Sequence, residues 1–215
     1  MARPAGDNAA AVPAKCIACN HEMRTAVVCD YCHALNPVSA PTDYFALLGV
    51  PRQYDLDADA LRRRFLALNR HAHPDFHADD SPEVVELALN VSSAVNDAYR
   101  TLNDPVSRAE YLLGLLGGAA SAEDRSTPNG FLVEVADLQE RIHDARAEGD
   151  TTTLQQMAAE LNERYQAMLA TLADLYGQFE AQVGCEAARQ SELKRIRRHL
   201  NAISYVRKLI SVAKR

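Results

Sequence analysis

The sequence has no tryptophan, and aromatic residues of every kind make up only 6% of it. Strict alternation of polar and apolar residues, the mark of a half-buried strand, is absent outside one short cysteine-bearing segment, which argues against a sheet-built fold. No apolar run approaches the roughly 18 residues that a membrane-crossing helix needs, so no membrane partner is expected. Positive charge is not in excess either. The 23 Lys and Arg stand against 29 Asp and Glu, a net charge of -6. That excludes a nucleic-acid binder built on overall positive charge, though not one with a local basic face. The N-terminus, MARPAGDNAAAVPAKC, lacks the basic stretch and the roughly 7–15-residue apolar core of a secretory signal. Its one arginine before Lys15 also makes it a poor transit peptide. The expected setting is the cytosol with reduced thiols. Glycine and proline number 9 each, whereas alanine (36) and leucine (24) dominate the 215 residues. Both favour helix, so the expected fold class is all-α, with slim helices. The length suits one ordinary domain plus a small one, or two small domains.

Four of the five cysteines fall within 17 residues, as Cys16-x2-Cys19 and Cys29-x2-Cys32. A CxxC turn holds two sulfurs close enough to share an ion, and two such turns supply the four thiolates of a tetrahedral zinc site. The segment is too short and polar for a core of its own, and a bound metal supplies the missing folding energy. One zinc ion held by Cys16, Cys19, Cys29 and Cys32 is the expected cofactor, with no organic cofactor. Two disulfides, a redox dithiol and a rubredoxin-like iron are the alternatives that the same residues leave open. His21 and His33, beside the turns, read as surface residues. Cys185 stands alone in a helical region and reads as a small buried hydrophobe.

Residues 1–14 read as a disordered tail and 15–41 as the knuckles with a linker. A short helix over 44–48 is capped by Thr42 or Asp43 and ended by Gly49. A second, over about 57–72, carries the apolar stripe Leu61, Phe65, Leu68 and Ala72, with Arg62, Arg63 and Arg70 opposite and Arg64 nearby. Four arginines and no acid lie between Ala60 and His73. A loop follows to Ser81, and Pro82 opens a third helix with Val84, Leu87, Val91, Val95, Ala98 and Leu102 on one face. Asp104-Pro105 breaks it before a fourth helix over 106–116. Residues 117–130, rich in glycine and small polar residues, mark a boundary. Three more helices, over about 131–147, 151–179 and 186–212, have turns short enough for an antiparallel bundle spanning 131–215.

The loop after the second helix begins His73-Pro74-Asp75. A short helix, an arginine-rich helix ending in HPD and a long third helix resemble a J domain, here over 42–116. Asp43-Tyr44-Phe45, Val95-Asn96-Asp97-Ala98-Tyr99, Ser107-Arg108-Ala109-Glu110-Tyr111-Leu112-Leu113 and Phe131-Leu132-Val133-Glu134 follow in order. With them the chain resembles the HscB family, the J-type co-chaperones of iron–sulfur cluster assembly. The cysteine-bearing extension resembles that of its metal-binding members.

The resemblance implies a protein that is not itself an enzyme. It implies docking on a DnaK-type ATPase chaperone (HscA type) through His73, Pro74 and Asp75 and through Arg62, Arg63, Arg64 and Arg70, which accelerates the chaperone's ATP hydrolysis. The arginines would meet an acidic face and speed encounter, and Pro74 would hold the two polar side chains together. Phe76-His77 follows HPD where many relatives carry lysine. It further implies a surface for an iron–sulfur scaffold protein of the IscU type, with Leu132, Val133, Ala136 and Tyr205 as apolar anchors and Asp137, Glu140 and Asp144 as an acidic stripe. From the helical pattern alone, Leu132 and Val133 are as readily bundle core. The location implied is cytoplasmic, or the mitochondrial matrix in a eukaryote. Three roles stay open for the knuckle: bracing the J domain, pairing two copies, or binding a partner. Residues 189–215 carry nine cations and one acid, equally a solvated face or a docking surface. A zinc-ribbon adaptor for nucleic acid or another protein, and a CxxC oxidoreductase, are the rival functions.

Overall fold

The computed structural model describes residues 15–23, 25, 27–38, 42–181 and 186–214. The expected tail, part of the first linker, Gly184 and Cys185 lie outside the described residues. Among the described residues there are seven α-helices, one 3-10 turn and no strand beyond an isolated bridge between Val28 and Leu35. The fold class is all-α, as composition led one to expect. The chain divides into two compact units, Met1–Arg108 and Ala109–Arg215.

In the first unit, most helices begin where a side chain accepts backbone N–H groups that a helix N-terminus leaves unpaired, and the long third one begins instead at Pro82, with no side-chain cap. Asp43 accepts from the Ala46 amide at 2.9 Å and opens α1, Tyr44–Leu48. Gly49, at φ 65°, closes α1 in the left-handed region that glycine enters without penalty. Asp57 accepts from the amides of Asp59 and Ala60 and opens α2, Ala58–Ala72. Leu61 and Ala72 are fully buried, and Phe65 stacks on Tyr99 with ring centroids 4.1 Å apart. Tyr99 belongs to α3, Pro82–Asn103. The buried stripe of α3 is Ala88, Val91, Ser92, Val95, Ala98 and Leu102. Its first turns are rotated slightly from the sequence expectation, with Ala88 inside and Leu87 only partly covered. The loop between α2 and α3 is not irregular throughout: Pro74–His77 form a 3-10 turn. Asp104 accepts from both the backbone N–H and the hydroxyl of Ser107 at 2.8 Å, which starts α4, Pro105–Leu115.

The second unit holds the end of α4 together with α5 (Phe131–Ala147), α6 (Thr151–Ala181) and α7 (Glu186–Ala213). Each of α5, α6 and α7 packs on the other two. Phe131, Val135, Ile142, Met157, Leu161, Ala202, Val206 and Leu209 form the shared core. On α5 the inward register is Phe131, Val135, Leu138, Ile142 and Ala145, spacings of four, three, four and three. His199 of α7 bonds the Met168 carbonyl of α6 at 2.7 Å, and the Tyr176 hydroxyl donates to the Ala109 carbonyl at 2.6 Å.

Arg197 belongs neither to a solvated face nor to a docking surface of the basic last helix, because it is only 1% exposed. Its guanidinium forks onto the Glu110 carboxylate and its Nε donates to Asn201 Oδ1 at 3.1 Å. Asn201 in turn donates to the carbonyls of Asp124 and Ser126, pinning the segment that the sequence marked as a boundary. Removing the arginine takes away a buried side chain and the donor to Asn201 Oδ1, while Glu110, 35% exposed, keeps some of its water. We expect Arg197→Ala to lower stability by about 3 kcal/mol in urea titration. Arg198→Ala, on the exposed side of the same helix, is expected to shift it by no more than ~0.5 kcal/mol.

Candidate functional site

The four cysteine sulfurs lie within 4.8 Å of one another. Cys16 Sγ is 3.7 Å from Cys32 Sγ, and Cys19 Sγ is 3.6 Å from Cys29 Sγ, so the pairs cross between the two turns. A disulfide would need about 2.05 Å. A tetrahedral metal with bonds of about 2.3 Å sets its sulfurs about 3.8 Å apart, and the spacing fits that. The two turns repeat the same local geometry. Asn20 donates its N–H to the Cys16 carbonyl, and His33 donates to that of Cys29, both at 3.0 Å. Asn20 and His33 have φ of 60° and 59°, the left-handed region that Asn and His enter more readily than most residues. The amides of Ala18 and Tyr31 point at Cys16 and Cys29 Sγ, each at 3.4 Å. Cys16, Met23 and Cys29 form one buried cluster of this segment, and Val27, Val28 and Leu35 are buried as well.

Crowding of the sulfurs divides their acidity. Burial pushes the Cys16 thiol up, but the amides of Cys19 and Ala18, the Asn36 side chain and Cys32 together bring it down to about 6. For Cys19 the His21 amide pulls down, yet burial and the three other sulfurs drive it up to about 12. Such a group carries four thiolates only around a cation. Asn36, where the knuckle meets the linker, ties the site together. It is buried, its Nδ2 approaches Cys16 Sγ at 3.6 Å and donates to the Ala34 carbonyl at 2.9 Å, and its Oδ1 accepts from the Ile17 amide at 2.8 Å. The second turn lies beside α1 and α2. Cys29, Asp30 and His33 share a cavity of about 230 Å³ with Leu47, Leu48, Arg64, Leu68 and His71.

The HPD turn stands at the exposed end of α2. Pro74 opens the 3-10 turn, and His73 Nδ1 accepts the Asp75 N–H at 3.2 Å. That bond holds the imidazole and the carboxylate on one side of a rigid turn, and the Asp75 side chain is 87% exposed. Arg62, Arg63, Arg64 and Arg70 are all exposed on α2, with Arg63 3.8 Å from Asp57. His77 was singled out in the sequence only as a departure from lysine. Its Nε2 meets the His71 carbonyl at 2.8 Å, and its Nδ1 meets Asp80 Oδ2 at 2.7 Å. Two acceptors on one ring favour the doubly protonated form, and the His71 carbonyl and then the Asp80 carboxylate raise its pKa.

On α5 the competing readings separate. Because Phe131 and Val135 take the core, Leu132 and Val133 face outward, 51% and 67% exposed. Ala136, Asp137, Glu140 and Asp144 are exposed on the same helix. Tyr205 of α7 is partly buried, edge-on to Phe131 at 6.1 Å, with the Lys208 ammonium 5.7 Å from its ring. The neighbouring Glu134 is paired with Arg164, whose guanidinium lies over the Phe131 ring. This places an exposed apolar pair among carboxylates. No helix among the described residues is long and apolar enough to cross a membrane.

An HPD turn between a basic helix and a long third helix defines a J-domain protein, and residues 43–111 match the DnaJ domain family. Residues 127–214 match the family described as the HSCB C-terminal oligomerisation domain. The chain is 36% identical over 138 residues to the Co-chaperone protein HscB homolog of Ralstonia nicotianae, covering 64% of this chain and 78% of that one. It is 35% identical over 151 residues to the Iron-sulfur cluster co-chaperone protein HscB of Mus musculus, covering 66% and 64%. The crystal structure of human co-chaperone protein HscB superposes with a TM-score of 0.73 at 24% identity over 93% of this chain and 96% of that one, a likeness of fold. The chain belongs to the HscB co-chaperone family.

The raised His77 pKa has a testable sign. Its contacts are fully present below 6.5, the ordinary value, and are lost as pH rises through the folded-state value. In NMR titration His77 is expected to titrate above 6.5, with protection of the Asp80 amide falling over the same interval. A midpoint at or below the ordinary value contradicts the clamp.

Proposed function

We propose that the protein is a co-chaperone of iron–sulfur cluster assembly that performs no chemistry itself. It binds a cluster scaffold of the IscU type through α5, delivers it to a dedicated DnaK-type chaperone and triggers that chaperone's ATP hydrolysis through the HPD turn. The observation that carries this reading is the outward HPD turn, with a carboxylate almost wholly in solvent beside an imidazole whose Nδ1 accepts the Asp75 backbone N–H. A turn built only for folding has no need of that arrangement.

The parts have distinct physical roles. Arg62, Arg63, Arg64 and Arg70 attract an acidic face on the chaperone and raise the rate of encounter. His73 and Asp75 then make polar contacts that are stronger in the chaperone's hydrolysing conformation, which is the only way a partner can bias that equilibrium. On α5, Leu132 and Val133 are anchors that lose solvent when the scaffold docks, with Ala136 and Tyr205 beside them. Asp137, Glu140 and Asp144 steer a basic scaffold and discourage acidic competitors. Cys16, Cys19, Cys29 and Cys32 hold one zinc ion, which supplies folding energy to a segment with only a small apolar core. The location that goes with these partners is the cytoplasm, or the mitochondrial matrix in a eukaryote. Pairing of two copies is compatible with the oligomerisation named in the description of the C-terminal family.

Single-turnover ATPase of the chaperone tests the trigger. Wild type accelerates hydrolysis and His73→Gln does not; equal stimulation by the two would remove the J-domain role. Scaffold titration by calorimetry tests α5. Leu132→Ala with Val133→Ala is expected to weaken binding roughly 10- to 100-fold, the loss of two central anchors. Unchanged affinity takes that patch out of the account.

A further inference from the structure

We propose that His33, His71 and His77 form a relay of direct contacts by which the cysteine knuckle positions the HPD turn, so that the knuckle belongs to the apparatus presenting His73 and Asp75. This rests on the co-chaperone reading above and deepens it. His77 and His33 are positioning residues; neither touches nucleotide.

The relay begins at the metal site. His33 follows Cys32 directly, and its backbone is fixed by its own N–H bond to the Cys29 carbonyl. Its backbone is left-handed, at φ 59°. The His33 ring lies nearly parallel to His71, with centroids 5.8 Å apart and planes 9° apart, within the range where aromatic rings attract. His71 sits in the last turn of α2, two residues before the HPD motif. Its carbonyl is one of the last four of the helix, which have no intrahelical partner. His77 Nε2 takes that position at 2.8 Å, while its Nδ1 reaches Asp80 at 2.7 Å. The 3-10 turn is thereby pinned at both ends. Its first amide bond is the one to His73 Nδ1, and its last residue is clamped to α2 behind and Asp80 ahead. The same two segments are neighbours elsewhere too, since Cys29, Asp30 and His33 line one cavity with Arg64 and His71 of α2. A knuckle that loses its metal loses the conformation of His33, and with it the first link. The coupling runs through contiguous contacts rather than through distance.

The test uses full-length zinc-loaded protein. Amide exchange is read at Asp75, Phe76 and Asp80, with Val95 and Ala98 inside α3 as controls of global fold. Chelation, His33→Asn and His77→Phe are each expected to speed exchange at the loop amides about three- to tenfold, with the α3 amides unmoved. His77→Gln keeps one donor and recovers part of the protection. Asn tolerates the left-handed backbone, so cobalt-substituted His33→Asn keeps the thiolate-to-metal absorption of wild type, which separates relay failure from metal loss. In chaperone ATPase assays the three perturbations lower maximal stimulation and leave the half-saturating concentration unchanged, since the arginine face is intact. Loop exchange in chelated protein and in His33→Asn equal to that of the zinc-loaded wild type would overturn the proposal. Faster loop exchange with no stimulation even by wild type would uphold the positioning and overturn the co-chaperone reading instead.

Discussion

The packing of α2 on α3 is the constraint on which the rest depends. Two helices joined by nine residues have to return on themselves, and the buried residues Leu61, Ala72, Val91, Val95 and Ala98, with Phe65 stacked on Tyr99, fix how they do so. Once that contact is made, the connecting turn can only project from the end of the pair. Proline at its first position removes backbone freedom, the His73 ring closes onto the Asp75 amide, and His77 ties the far side to α2. The apolar stripe faces inward, so the arginines have nowhere to go but solvent. An exposed basic helix and an exposed HPD turn are therefore consequences of one packing decision.

The knuckle solves a different problem with the same economy. A short segment buries sulfur beside Met23, Val27, Val28 and Leu35, and crowding lets all four thiols ionise only around a cation. Asn36 fills the remaining polar need from twenty residues away. One exposed helix in each unit differs in sign from the other. The first offers arginines on α2 and the second carboxylates on α5. In the proposed function the two partners are sorted partly by repulsion, each being unwelcome at the other's surface.

Much of this was legible in the sequence, and the reasons are local. Helix ends were readable because Asp57, Pro82, Asp104-Pro105 and Gly149 carry their own start and stop chemistry within a turn of the chain. The cysteine cluster was readable because a CxxC turn fixes its own geometry. The exposure of Leu132 and Val133 was half-legible. Phe131, Val135, Leu138, Ile142 and Ala145 make the better four-three register, and giving them the core leaves the other two outside. What local pattern could not reveal was pairing across the chain. Arg197 reads as one of nine cations until Glu110, 87 residues away, takes it inside. Asn36 reads as the join of knuckle and linker, and His77 as a mere departure from lysine, because their partners come from other elements. The seating of the second knuckle turn beside α1 and α2 is likewise a tertiary fact with no periodicity to announce it.

The central claim is that one chain couples a scaffold to a nucleotide-driven chaperone through two separate surfaces. The measurement that bears on it most directly is steady-state ATPase of the chaperone with this protein, with the scaffold, and with both. The account predicts stimulation by both together that exceeds the sum of the separate effects, and a return to simple addition when Leu132 and Val133 are truncated while the HPD turn is left intact. Additive stimulation by the wild-type protein and scaffold, at concentrations where the two form a complex, would contradict it.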